Sequence, residues 1–188
     1  MKHPLHDLEP GAAPPDELNM IVEIPRGSRN KYELHKESGL IRLDRVMYSS
    51  VYYPGDYGFV PRTLASDGDP LDLVCLVTEP TFSGCLIEVR PIGLFLMDDE
   101  KGTDEKILVV PVRDPLYQDY RELEDVPRHF LREMEHFFTI YKDLEDDKRS
   151  VVHGWRSRSE VAAVVDAAIE RYHPPADRQT DPPSRRPD

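Results

Sequence analysis

The apolar residues of this chain change spacing once along its length, and that change constrains the fold more than any other feature. Up to about residue 112 they come in short runs of period two. Met20, Val22 and Ile24 alternate with Ile21 and Glu23 before Pro25. Lys31, Glu33 and His35 share one face, and Ile41, Leu43, Arg45 and Met47 share another. Leu71–Thr78 is nearly continuous apart from Asp72, Cys85–Met97 is interrupted at Pro91, where a bend or bulge is expected, and Ile107–Val112 closes the series. Beyond residue 125 the period becomes helical. Phe130, Leu131, Met134, Phe137, Phe138, Tyr141 and Leu144 form one stripe, with Asp125 as its predicted N-cap and Pro127 in its first turn. Val161, Val164, Val165, Ala168, Ile169 and Tyr172 form a second, with Ser157 and Glu160 at capping-box spacing. Many short strands followed by two helices predict a mainly β fold with α: a small closed barrel with two C-terminal helices packed on its outside.

Half of the 18 prolines lie in the two ends of the chain, with few large apolar residues around them. Residues 1–18 and 173–188 are therefore expected as flexible tails around a single domain over 19–172. The net charge of −12 makes a phosphate backbone a poor partner, so no nucleic acid is expected. No apolar run reaches the roughly 18–20 residues of a membrane span, and the first eleven residues hold no signal-like stretch. Cys75 and Cys85 form no CxxC and sit in apolar runs, which reads as reduced cysteine in a cytoplasmic protein.

The sharpest local signal is Asp67-Gly-Asp69-Pro-Leu-Asp72. Most such triplets are solvated acidic turns. Here Pro70 biases Asp69 toward extended backbone, and Asp72 opens an apolar run, so a partly buried carboxylate needs a cation or donors nearby. Hard divalent cations prefer such oxygens. An EF-hand is rejected, because positions 5, 6 and 12 of that loop would be Leu71, Asp72 and Thr78. A second acidic cluster, Asp98 to Lys106, joins two predicted strands and gains weight if it meets the first on one rim. Arg45 on an apolar strand face either snorkels or serves an anion. Tyr53-Pro-Gly-Asp-Tyr57-Gly-Phe59 reads as a rigid aromatic turn. Taken alone, Tyr141 and Lys142 are a packing tyrosine and a surface lysine.

In order along the chain, I-V-E-I-P (21–25), K-Y-E (31–33), D-R-V-M (44–47), Y-P-G-D-Y-G (53–58), D-G-D-P-L-D (67–72), the 98–106 loop, H-F-F…Y-K-D-L (136–144) and G-W (154–155) resemble the soluble family I inorganic pyrophosphatases. The resemblance runs from about Asn19 to Trp155 and leaves the tails unexplained. It implies an OB-type barrel, magnesium held by Asp67, Asp72, Asp99 and Asp104, and Glu23 and Glu33 acting mainly through waters. It implies Asp69 as general base, Lys31, Arg45, Tyr57, Lys106, Tyr141 and Lys142 as phosphate-oxygen ligands, and Tyr53 as a supporting phenol. It also implies hydrolysis of pyrophosphate without a phosphoenzyme, and a homo-oligomer, with a hexamer favoured.

Charge arithmetic agrees with that implication. Seven carboxylates against Lys31, Arg45, Lys106 and Lys142 leave the set at −3, and pyrophosphate adds about four more negative charges. Roughly three to four Mg2+ ions would bring the total near neutrality. Two rival readings are a non-catalytic OB-type binding module, which needs no such carboxylate set, and a nucleotide phosphohydrolase, for which no Walker A loop is found.

Overall fold

One 14-residue strand, β6 (Leu86–Asp99), organises the architecture. Its first four residues pair with β1 (Leu18–Ile24), Gly93–Asp98 with β8 (Val151–Ser157), and Val89–Asp99 with β7 (Gly102–Pro111). A strand this long can serve three neighbours only if it bends. The bend falls where it was expected: the register against β7 shifts between Pro91 and Gly93, beside the one residue that has no N–H to give the ladder. The side chain of Leu123 fills the space over Gly93, where a Cβ would lie 2.2 Å from it.

The computed structural model describes residues 2–175. Two more strands complete a ring: β4 (Asp56–Phe59) pairs with β1, β5 (Asp72–Cys75) pairs with β4, and β5 runs parallel to β7. With the β1–β6 pairing the order β1-β4-β5-β7-β6 closes on itself. Alternate residues then face opposite ways. Leu18, Met20, Val22, Leu73, Cys75, Val89, Leu94, Ile107 and Val109, from β1, β5, β6 and β7, form one buried cluster. Helix α2 (Val161–Arg171) adds Val161, Val165 and Ala168 to it. The opposite parity carries Val74, Phe95, Met97 and Leu108, covered by Met134, Phe137, Phe138 and Tyr141 of α1 (Arg128–Ile140) and its C-cap. A separate hairpin, β2 (Asn30–His35) with β3 (Leu40–Val46), stands beside the ring.

Several sequence expectations need correction. Residues 2–18 are not a loose arm. Leu5 and Leu8 pack with Ile21, Leu34 and Phe59, and Leu18 is fully buried at the head of β1. The apolar residues in that stretch are few but each finds a pocket, which composition alone does not reveal. At the other end, residues 173–175 are described as irregular and the remainder of the expected tail lies outside the described residues. Asp125 does not cap α1. Its carboxylate accepts from the Arg121 and Glu122 amides of a preceding 3-10 turn, and α1 starts after Pro127. The Ser157–Glu160 capping box does not form either, because a 3-10 turn over Arg158–Glu160 intervenes. Two strands carried too little pattern to be predicted: β4 is four residues, and β8 is broken at Gly154, φ +86°, where its register with β6 shifts. Nor is the predicted face of β3 a buried one, since Leu43 is 54% exposed and a register shift falls at Lys31/Tyr32 opposite it.

Candidate active site

The parallel pairing of β5 and β7 sets Asp72 directly across from Lys106. Both share the parity of Val74 and Leu108, so both point out of the ring toward α1. Asp104, two residues before Lys106, points the same way. The Lys106 ammonium is 2% exposed and lies 2.8 Å from Asp72 and 2.7 Å from Asp104, with the Tyr57 hydroxyl at 3.0 Å. Tyr57 in turn donates to Asp72. Burial works against a charged lysine here, but Asp104 and Asp72 outweigh it and hold the ammonium well above its usual range.

Three loops add their side chains around this centre. The β6–β7 turn presents Asp99 and Glu100 to Lys142, at 3.0 and 2.8 Å, just past the end of α1. The loop before β5 turns at Gly68, φ +86°, a backbone conformation that glycine adopts without penalty. The Asp69 amide there donates to Asp67 at 3.0 Å. The Asp69 carboxylate is gripped from both sides by Lys36 and Lys101, each at 2.6 Å. Partial burial would raise its pKa, but the two lysines hold it below the ordinary value. The hairpin contributes Lys31, bridging Glu33 and Asp44 at 3.2 Å each, and Arg45, 2.9 Å from Glu145. Tyr53 is buried between Tyr57 and Phe137, ring centroids 5.5 and 4.9 Å away.

All fourteen residues singled out in the sequence line two adjoining clefts that share Lys31, Glu33, Tyr57, Asp67, Asp69 and Asp72. Asp67, Asp69 and Asp72 therefore face the same space as Asp99 and Asp104, about 290 Å3 in the cleft that also holds Lys106, whereas Asp98 turns away to His153. Sequence reasoning missed Lys36, Asp44 and Lys148 as lining residues and Glu145 as the buried partner of Arg45 and Lys148, and gave Glu100 and Lys101 no role. Asp44 opens the quoted motif over 44–47 and Glu145 follows the one ending at Leu144, which was a usable signal, whereas nothing near Lys36 marked it.

Among the described residues no three acidic, histidine or cysteine groups converge into a preformed metal nest, because lysines occupy the carboxylates instead. The donor set nonetheless fits hard cations: every candidate ligand is a carboxylate oxygen on one of the two adjoining clefts. Glu23 is the telling case. It makes no ion pair among the described residues, its Oε1 accepts from the Leu34 amide at 2.6 Å, and burial pushes its carboxyl up to about 8. A carboxyl held protonated at the foot of an acidic cleft is one that an arriving cation would ionise.

This has a measurable consequence in cation-free buffer. The folded chain binds the Glu23 proton more tightly than the unfolded chain, whose value is 4.5. Its contribution to stability is thus complete below that value and disappears as pH rises through about 8. Melting temperature in EDTA should fall across this window, and Glu23→Gln should flatten the fall. An identical slope in the variant would contradict the assignment.

A closed ring bearing a cleft where acidic groups outnumber fixed cations defines a class: phosphate-handling proteins that bring metal ions between their carboxylates and an anionic substrate. The sequence profile of the inorganic pyrophosphatases matches residues 20–173. The chain is 54% identical over 153 residues to an inorganic pyrophosphatase of Methanosarcina mazei, covering 81% of this chain and 90% of that protein. It is 47% identical over 156 residues to one from Geobacillus stearothermophilus, covering 83% and 94%. The crystal structure of inorganic pyrophosphatase from Thermus thermophilus superposes with a TM-score of 0.88 at 44% identity, covering 91% of this chain and 99% of that one. The chain belongs to the inorganic pyrophosphatase family, and its ring is the OB-like barrel of those structures. The family is metal-dependent.

Proposed function

We propose that this cleft hydrolyses inorganic pyrophosphate to two phosphates by direct attack of water, with Asp69 accepting the proton. Family membership makes the chain a hydrolase of pyrophosphate. The observation that carries the rest is the gathering of ten carboxylates and eight lysine and arginine side chains around two adjoining clefts, so that acidic groups still outnumber fixed cations before any substrate binds.

In this reading Asp67, Asp72, Asp99 and Asp104 hold magnesium, about three to four ions per site, with Glu23 and Glu33 reaching them through waters. When bound, such ions would lower the pKa of an attacking water and offset the substrate's charge. Asp69, on a short loop between the two clefts, takes the proton as the water oxygen bonds to one phosphorus and the bridging P–O bond breaks. Lys31, Arg45, Lys106 and Lys142, with the hydroxyls of Tyr57 and Tyr141, hold the phosphate oxygens and offset charge on the leaving phosphate. Tyr53, fully enclosed, keeps Tyr57 in place by ring contact. No side chain is needed as a nucleophile. The reading extends to a homohexamer in the cytoplasm, and exposed Phe82, Leu86 and Leu116 are apolar surface that assembly would cover.

Phosphate release from pyrophosphate and from ATP, each with magnesium or with calcium, tests it. Rapid release from pyrophosphate with magnesium alone is expected, since calcium tolerates loose geometry and activates water poorly. Faster release from ATP, or full activity with calcium alone, would overturn the reading.

A further inference from the structure

The N-terminal segment ties together the two walls of the cleft that meet at Asp69. His3 is 4% exposed. Its Nδ1 accepts the Leu5 amide at 3.2 Å, so its Nε2 carries the proton and donates to the carbonyl of Lys36 at 3.0 Å. Lys36 opens the turn of the β2–β3 hairpin. Gly39, φ +71°, ends that turn against the same imidazole, where a Cβ would lie 2.8 Å from His3 Cδ2. From the far side of this anchored backbone the Lys36 ammonium crosses the cleft to Asp69 at 2.6 Å and to the Gly68 carbonyl at 3.1 Å. The opposite wall is tied by the same segment. The Leu5 carbonyl accepts the Arg62 amide at 2.9 Å, and Arg62 Nε donates to the His6 carbonyl at 3.0 Å. Arg62 lies in the loop that leads to Asp69.

We propose that His3 is a positioning residue for Asp69, acting through Lys36. The Asp69 backbone is held by its amide to Asp67 and by its carbonyl to the Ala65 amide, but its part-exposed carboxylate can still turn about the side-chain bonds and is aimed by the cations that grip it. Lys101 restrains it from the β6–β7 turn and Lys36 from the hairpin, and a half-exposed lysine on a hairpin tip restrains only if its own backbone is held. The buried His3 holds it. The inference rests on Asp69 working as the proton acceptor. Because that role is exercised in the transition state, loss of positioning falls on kcat rather than on KM.

The test is steady-state hydrolysis of magnesium pyrophosphate by the full chain carrying His3→Ala, His3→Gln, Lys36→Met, the His3→Ala/Lys36→Met pair, or Asp69→Asn. His3→Ala and Lys36→Met should each lower kcat about tenfold with KM within about twofold. His3→Gln, whose amide can reach the Lys36 carbonyl, should recover most of the loss. The double variant should be no slower than the slower single one. Multiplying losses in the double variant, or no recovery with glutamine, would overturn the proposal. If His3→Ala fails to fold, Lys36→Met and His3→Gln decide: wild-type kcat in Lys36→Met overturns it. A severe defect in Asp69→Asn alongside normal Lys36→Met removes this proposal alone, whereas normal turnover in Asp69→Asn removes the role of Asp69 and the proposal together.

Discussion

Asp69→Asn is expected to lower kcat for pyrophosphate by about a hundredfold to ten-thousandfold, the usual span for losing a positioned proton acceptor. The melting temperature should barely move. Asparagine keeps the shape of the side chain, and the amide–carboxylate bond from Asp69 N to Asp67 is a backbone donation that survives. What is lost on the folding side is two ion pairs, to Lys36 and Lys101, whose lysine side chains are 50% and 52% exposed. Exposed pairs of this kind are screened and contribute little. Stopped assays of phosphate release together with a thermal melt separate the two effects. A rate within a few-fold of wild type would assign the proton to another group.

Lys106→Met carries the opposite signature, a large loss of both stability and rate. Among the described residues Lys106 is the one fixed cation paired with Asp72 and Asp104, and it also lies within hydrogen-bond reach of the Tyr57 hydroxyl. Methionine conserves the stem and removes the charge, leaving two carboxylates facing each other without their partner. Removing one member of a buried charged group costs about 3–5 kcal/mol. For a domain of this size that is a drop of about 10 °C in melting temperature. The loss should be greatest in EDTA and partly recovered by magnesium, because a bound cation can take up the charge the lysine leaves behind. Turnover should fall by at least about a hundredfold, as for other lost electrostatic stabilisers. An unchanged melting temperature in EDTA would mean that Asp72 and Asp104 are not held by Lys106.

How much of this was legible beforehand depends on the kind of signal. The stripe Met134, Phe137, Phe138, Tyr141 was visible as a helix because period 3.6 over thirteen residues is hard to imitate. Its partner surface was not, since Phe95, Met97 and Leu108 are matched to it only by the closure of the ring. The bend at Pro91 was visible because proline acts locally. The packed N-terminal segment was not, because Leu5 and Leu8 look sparse until Ile21, Leu34 and Phe59 are seen to leave room for them. Among cleft residues, the aspartates stood out by spacing and by their family resemblance. Lys36 did not, because a lysine in a hairpin turn is ordinary in every respect except the carboxylate it reaches across the cleft.

The change from short strands to two helices, the excess of acidic groups and the candidates for the chemistry were written in the chain, since each depends on neighbours a few positions away or on charge alone. Which lysine answers which carboxylate was decided only by the parallel register of β5 and β7 and by the loops that converge on it. Asp72 and Lys106 stand 34 residues apart, and pairing at that separation is a property of ring closure, on which no local preference acts.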